Sequence, residues 1–226
     1  MRPVVKWKIG ENGVKKIYKP YSKAKPILKD NFGIEPYYYC NYCDRKVLGI
    51  NIEVEHILPV SKYLNKKFDW NNFLLSCKSC NGIKLNINFR MSEVVLPHKN
   101  NTLKCFNFNN DGTIKPKGRL SHSDLKKVKK TIKLLGLDIG KLHVNKKPQD
   151  DRYNERMEVL RISKIKFAQY KNKKQDLEDI INCAKTSGFW AVWYDTFKNE
   201  KKVTSKLIKE FKNTYSECRS KNIYRC

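Results

Sequence analysis

Residues 40–84 read CNYCDRKVLGINIEVEHILPVSKYLNKKFDWNNFLLSCKSCNGIK. Two Cys-x-x-Cys pairs, Cys40 with Cys43 and Cys77 with Cys80, bracket the stretch, and four thiolates at that spacing can meet on one tetrahedral zinc. Between the pairs, Ile50, Ile52 and Val54 alternate with Asn51, Glu53 and Glu55. That period of two is the signature of a half-buried strand, predicted over 47–58 with His56 near its end. Pro59 cannot donate to a ladder, so a loop is expected from there to about Trp70. Residues 70–76 read as a second strand, and the chain after Cys77 turns into a helix carrying Asn81, Lys84 and Leu85. The expected unit is strand, loop, strand and helix around a metal.

Outward from this centre the chain divides into three parts. Residues 1–39 form a basic entry segment with Trp7, Tyr18 and Tyr21, including a short helix over 22–31 that tolerates Pro26 only in its first turn. Tyr37, Tyr38 and Tyr39 are expected to pack around the metal knuckle. The metal-bearing core spans 40–100. In 101–226, two apolar runs flank Asn109-Asn110-Asp111-Gly112, which predicts a hairpin over 103–116. Helices are predicted over 121–135, stopping at Gly136, and over 149–171, 177–184, 189–197 and 204–211. The apolar 189–197 segment is read as core. The fold class is therefore α+β, a small metal-stapled centre wrapped by a mainly helical C-terminal region.

The 226 residues carry 48 Lys and Arg against 22 Asp and Glu, a net charge of +26. A surplus of that size attracts polyanions, with nucleic acid the foremost. It is uneven: 31–100 has nine basic and six acidic residues, whereas the flanking segments 1–30, 101–150 and 151–226 carry surpluses of seven, eight and eight. Flanks that hold phosphates around a centre that supplies carboxylates would divide the labour in this way. No run of 18 apolar residues is present to span a membrane, and the N-terminus lacks a signal-type apolar core, so a cytoplasmic protein is expected. In a reducing compartment, paired cysteines favour metal over disulfides. Cys105, Cys183, Cys218 and Cys226 have no such pairing and are read as core or surface thiols.

The order CNYC, VEHILPVSK, WNNFLLSCKSCNGIK resembles the zinc-stapled HNH, or His-Me finger, endonucleases, whose centre is a ββα-metal finger. The resemblance implies a general base at His56, a metal-binding acid at Glu55, the middle motif residue at Asn72 and a third metal-binding residue at Asn81. Glu55 stands where many members have Asp, and Asn81 where many have His; both keep a ligand oxygen. More loosely, MRPV, NFLLSC, GFWAVWYDTF and LIKEF resemble the HNH subunits of Septu-type and retron antiphage systems, which implies an ATPase partner.

The chemistry these residue types can do agrees. Phosphodiester hydrolysis needs an activated water, a cation and fixed geometry. Neutral His56 can take the water's proton, and Glu55 with the Asn81 amide oxygen can hold Mg²⁺, or Mn²⁺ in its place, with positions left for phosphate and water. Asn72 would fix the loop that orients His56, and Lys84, one helical turn from Asn81, would meet a phosphate. Two other readings stand beside a DNA endonuclease: a zinc-ribbon module that only binds nucleic acid, and an RNA-cleaving HNH nuclease.

Overall fold

The computed structural model describes residues 1–138, 151–215 and Cys226. Three two-stranded antiparallel sheets and eight α-helices are formed among them. A 3-10 turn over Tyr21–Ala24 leads into α1 (Lys25–Phe32), where Pro26 lies in the first turn and Leu28 and Phe32 face inward. β1 (Tyr38–Tyr39) and β2 (Lys46–Val47) make a minimal hairpin whose connection carries Cys40 and Cys43.

β3 (Glu53–His56) pairs with β4 (Phe73–Ser76), with Glu53 opposite Ser76 and His56 opposite Phe73. α2 (Lys78–Lys84) follows at once, with Cys77 as its N-cap. The first strand is therefore shorter than the predicted 47–58. The alternation through Leu48-Gly49-Ile50-Asn51 forms a turn that leaves Leu48 69% and Ile50 84% exposed. Residues 70–72 likewise form a 3-10 turn, capped by Asp69, before β4 begins.

The predicted hairpin is present as β5 (Phe106–Phe108) and β6 (Ile114–Pro116), entered from the short α3 (Thr102–Cys105). α4 (His122–Leu135) starts where Ser121 Oγ accepts from the Asp124 amide, and it stops at Gly136, whose φ of 57° is left-handed. α5 (Arg152–Lys171), α6 (Leu177–Ser187), α7 (Trp190–Thr196) and α8 (Lys201–Glu210) complete the chain. The two residues that open the predicted 149–171 helix lie outside the described residues.

One core joins α1, the β3–β4 pair, α4 and the cysteine knuckle; a second is built by α5–α8 around Trp190, Trp193, Phe197 and Phe211. The 189–197 segment is thus core, as its composition predicts. Asp44 ties the two together. Its carbonyl accepts from the Phe189 amide at 2.7 Å and its carboxylate from the Ala191 amide at 3.1 Å, capping α7. Gly188 makes this approach, with φ 75°, and a Cβ there would lie 2.6 Å from the Lys46 amide nitrogen. Tyr39, expected with Tyr37 and Tyr38 to pack around the metal knuckle, is instead buried in the second core and donates to the Lys185 carbonyl at 2.8 Å, while Tyr37 and Tyr38 are half-buried.

Cys105 and Cys226, expected as lone thiols, are instead joined by a disulfide over 121 residues. Cys183 is a half-buried thiol, and Cys218 lies outside the described residues. Among the described residues no helix is long and apolar enough to cross a membrane.

Candidate active site and metal centre

The sulfur atoms of Cys40, Cys43, Cys77 and Cys80 all lie within 4.8 Å of one another, and all four residues are buried. Cys43 and Cys77 are 3.8 Å apart, the edge expected of a tetrahedron with Zn–S bonds of about 2.3 Å. Local chemistry fixes this geometry. Cys77 Sγ accepts from the Cys80 amide as the α2 cap, and Asn41 exchanges two hydrogen bonds with Leu75, clamping the first pair to β4. At Cys40 burial pushes the thiol up, yet hydrogen bonds from the other three outweigh it and hold the thiol well below its ordinary value. Cys43 and Cys80 are raised. The remaining protons are those a zinc ion displaces on binding. The cluster fits a zinc site.

Beside it, β3 and α2 bring the oxygen-bearing residues together. Glu53 and Glu55 share a strand face because side chains alternate, and Asn81 and Lys84 share a helix face at i, i+3. Asn81 Nδ2 donates to Glu53 Oε2 at 2.9 Å, which leaves the amide oxygen Oδ1 to act as a ligand. Glu55 is 3% exposed and Lys84 2%, and Lys84 Nζ stands 2.8 Å from Glu55 Oε1. This is an ion-pair contact whose angle leaves Oε1 without an aligned hydrogen bond. Burial raises the Glu55 carboxyl to about 7, with Lys84 pulling against it. Lys84, expected to meet a phosphate, thus faces Glu55. Glu53, to which no role fell in the sequence, is the carboxylate that touches Asn81.

His56 ends β3, its ring edge-on to Tyr21 at 4.7 Å and to Phe73 at 5.3 Å. Its Nε2 lies 2.8 Å from the Lys67 carbonyl. A carbonyl only accepts, so Nε2 carries the proton and Nδ1 keeps the lone pair. Burial lowers the imidazole's pKa, assisted by the charges of Lys84 and Lys67 and opposed by the Lys67 carbonyl. The ring is therefore neutral at pH 7 and able to accept a proton.

Asn72, 1% exposed, holds the loop that supplies that carbonyl. Its Oδ1 accepts from the Leu58 amide at 2.8 Å, and its Nδ2 donates to the carbonyls of Leu58 at 3.1 Å and Lys66 at 3.2 Å. Asn72→Ala leaves both buried groups of Leu58 unpaired at about 1–3 kcal/mol each, so we expect a loss of about 2–6 kcal/mol. Urea unfolding of zinc-loaded protein measures it.

The helical region reaches the metal centre through contacts that sequence spacing does not show. Arg152 Nη1 lies 3.1 Å from Cys80 Sγ while donating to the Leu135 carbonyl at 2.8 Å, and Arg45 pairs with Glu155. Such partners orient metal ligands from outside the coordination sphere.

The HNH endonuclease family model matches residues 40–86, the segment just described. A Vibrio cholerae serotype O1 biovar El Tor retron Vc95 protein, assigned as an HNH endonuclease, is 28% identical over 142 residues, 58% of this chain and 67% of that protein. The Septu protein PtuB of Bacillus thuringiensis is 32% identical over 103 residues, 43% of this chain and 38% of that protein. The likeness to the retron protein extends well past the matched domain, whereas the matched stretch is under half of PtuB. The stretch that carries His56, Asn72, the Glu53–Asn81 contact and the four-cysteine cluster is accordingly an HNH endonuclease domain, carried at residues 40–86 of this chain.

Proposed function

We propose that the chain is a Mg²⁺-dependent endonuclease hydrolysing DNA phosphodiesters, and that it serves in antiphage defence beside an ATPase partner. The observation that carries the catalytic reading is His56: a neutral imidazole, its tautomer fixed by the Lys67 carbonyl, with Nδ1 free to take a proton from water. The water oxygen bonds to phosphorus as its proton passes to Nδ1. The P–O3′ bond breaks and the leaving oxygen takes a proton from solvent water, giving a 5′-phosphate and a 3′-hydroxyl.

The donor set suits a hard cation. Glu55 Oε1 is buried without an aligned hydrogen bond, and Asn81 of α2 donates to Glu53, which shares a strand face with Glu55. Glu55 and Asn81, with Glu53 beside them, would hold Mg²⁺, which there supplies charge stabilisation to the phosphate and leaving oxygens. Lys84 steadies the Glu55 carboxylate, and Asn72 positions His56 through the 66–67 backbone.

Glu55→Ala and Asn81→Ala are expected to lower cleavage by at least about 10²-fold, the scale of losing charge stabilisation in the transition state, with zinc content unchanged. Metal analysis beside plasmid cleavage checks both. Wild-type rates in the two alanine variants would remove the cation assignment. The DNA and defence readings draw on the relatives' retron and Septu membership and on the +26 charge. Affinity capture from cells encoding the neighbouring genes tests the partner: recovery of an ATPase supports it, and recovery of the chain alone opposes it.

A further inference from the structure

Outside the HNH domain, α4 presents a row of cations with no acid in it. Lys126, Lys129 and Lys133 are exposed at i, i+3 and i+7, on the side opposite buried Val128, Thr131, Ile132 and Leu135. Elsewhere on the helical region some lysines are matched by acids, as in Lys171–Glu200, Lys185–Glu210 and Lys206–Glu178, while α8, which packs on α6 and α7, also carries exposed lysines at 201, 202 and 209. On α4 the two nearby acids are already taken, Asp124 by Lys127 and Glu93 by Lys130. Among the described residues, Lys126, Lys129 and Lys133 have no acidic partner.

The helix that carries the row is joined to the HNH domain. α4 packs on α2, and its C-terminal end is bound to the catalytic helix by Arg152, which joins the Leu135 carbonyl to Cys80, the residue before Asn81. At 1.5 Å per residue the three lysines span about 10.5 Å. That length matches about three phosphate-to-phosphate intervals of one strand at 3.4 Å of axial rise each.

We propose that Lys126, Lys129 and Lys133 form a phosphate track that continues the substrate path from α2 along α4. The inference rests on the nuclease reading above and adds the surface that holds the polymer beyond the cleavage site. Its occupant is the sugar-phosphate backbone, since a periodic row of ammonium groups recognises regularly spaced anions and reads no bases.

The test compares two charge-matched triple variants. Lys126→Gln/Lys129→Gln/Lys133→Gln removes the row, and Lys201→Gln/Lys202→Gln/Lys209→Gln removes three exposed, unpaired lysines from α8. Binding of a labelled DNA duplex, read by fluorescence anisotropy over a KCl series without Mg²⁺, gives the slope of log K against log salt. The α4 triple should lower that slope by about 2.7, at about 0.9 per phosphate contact, and the single Lys129→Gln by about 0.9. The α8 triple should leave it unchanged. An equal fall in both triples would mean that net charge alone acts, and no fall in the α4 triple would place the backbone elsewhere; either overturns the track. Failure of wild-type protein to bind duplex or RNA would instead sink the nuclease reading, and the track with it.

Discussion

Cys77→Ser is expected to abolish the cooperative thermal unfolding of the core, not merely to shift it. Cys77 does two things at once. It contributes one of four sulfurs gathered within 4.8 Å, and its Sγ accepts the Cys80 amide that starts α2. The knuckle hairpin β1–β2 has only two residues per strand, too few to hold itself together without a staple. Structural zinc contributes about 10–16 kcal/mol of apparent binding energy to domains of this kind, which is comparable to the whole stability of a folded chain. Serine keeps the size but not the thiolate. Near-ultraviolet circular dichroism and metal analysis should show loss of fixed packing together with loss of one zinc per chain. A variant that keeps an intact transition and lacks zinc would show that hydrophobic packing alone suffices.

His56→Ala should lower the cleavage rate by about 10²–10⁴-fold, the range set by removing a general base. The ring is half-buried, and its one hydrogen bond is to the Lys67 carbonyl, so truncation should spare the fold and the zinc. The pH profile provides a second readout. Only neutral imidazole can accept the proton, and burial holds its pKa below the ordinary histidine value. At saturating Mg²⁺, which would hold Glu55 as the carboxylate, the wild-type rate should therefore rise with pH through the mildly acidic range and then level off. The residual rate of His56→Ala should lack that limb, because the group that titrates is gone. An acid limb surviving in the variant would assign it to another residue.

How much of this the sequence disclosed depended on how local the chemistry was. The zinc knuckle, the α4 cap at Ser121, its stop at Gly136 and the Asn109–Gly112 hairpin turn each rest on a few neighbouring residues, and all four are where those residues place them. The first strand was overextended because Leu48-Gly49-Ile50-Asn51 continues the same alternation while turning in space. Periodicity records which residues are apolar, and an exposed turn can carry the pattern as well as a strand.

Within the site, the residue before His56 drew the metal role, whereas alternation along β3 puts Glu53 on the same face as Glu55 and in contact with Asn81. A two-residue spacing of carboxylates facing a helix was the available signal. Lys84 lies one turn from Asn81 on α2, as its spacing dictates, but whether it reaches outward or pairs inward depends on burial, which spacing does not encode. The Asp44 cap of α7, the Arg152 contact to Cys80 and the Cys105–Cys226 bond join residues 72 to 147 positions apart. No local pattern marks such pairs.

The central claim is metal-dependent hydrolysis by His56, and one experiment addresses it directly. Zinc-loaded protein and His56→Ala are incubated with supercoiled plasmid and with an RNA transcript, each with Mg²⁺, with Mn²⁺ and with no added divalent ion. The account predicts plasmid cutting that requires Mg²⁺ or Mn²⁺, yields 5′-phosphate ends and is lost in His56→Ala. Plasmid cutting by His56→Ala at the wild-type rate, or cutting without any added divalent ion, would contradict it.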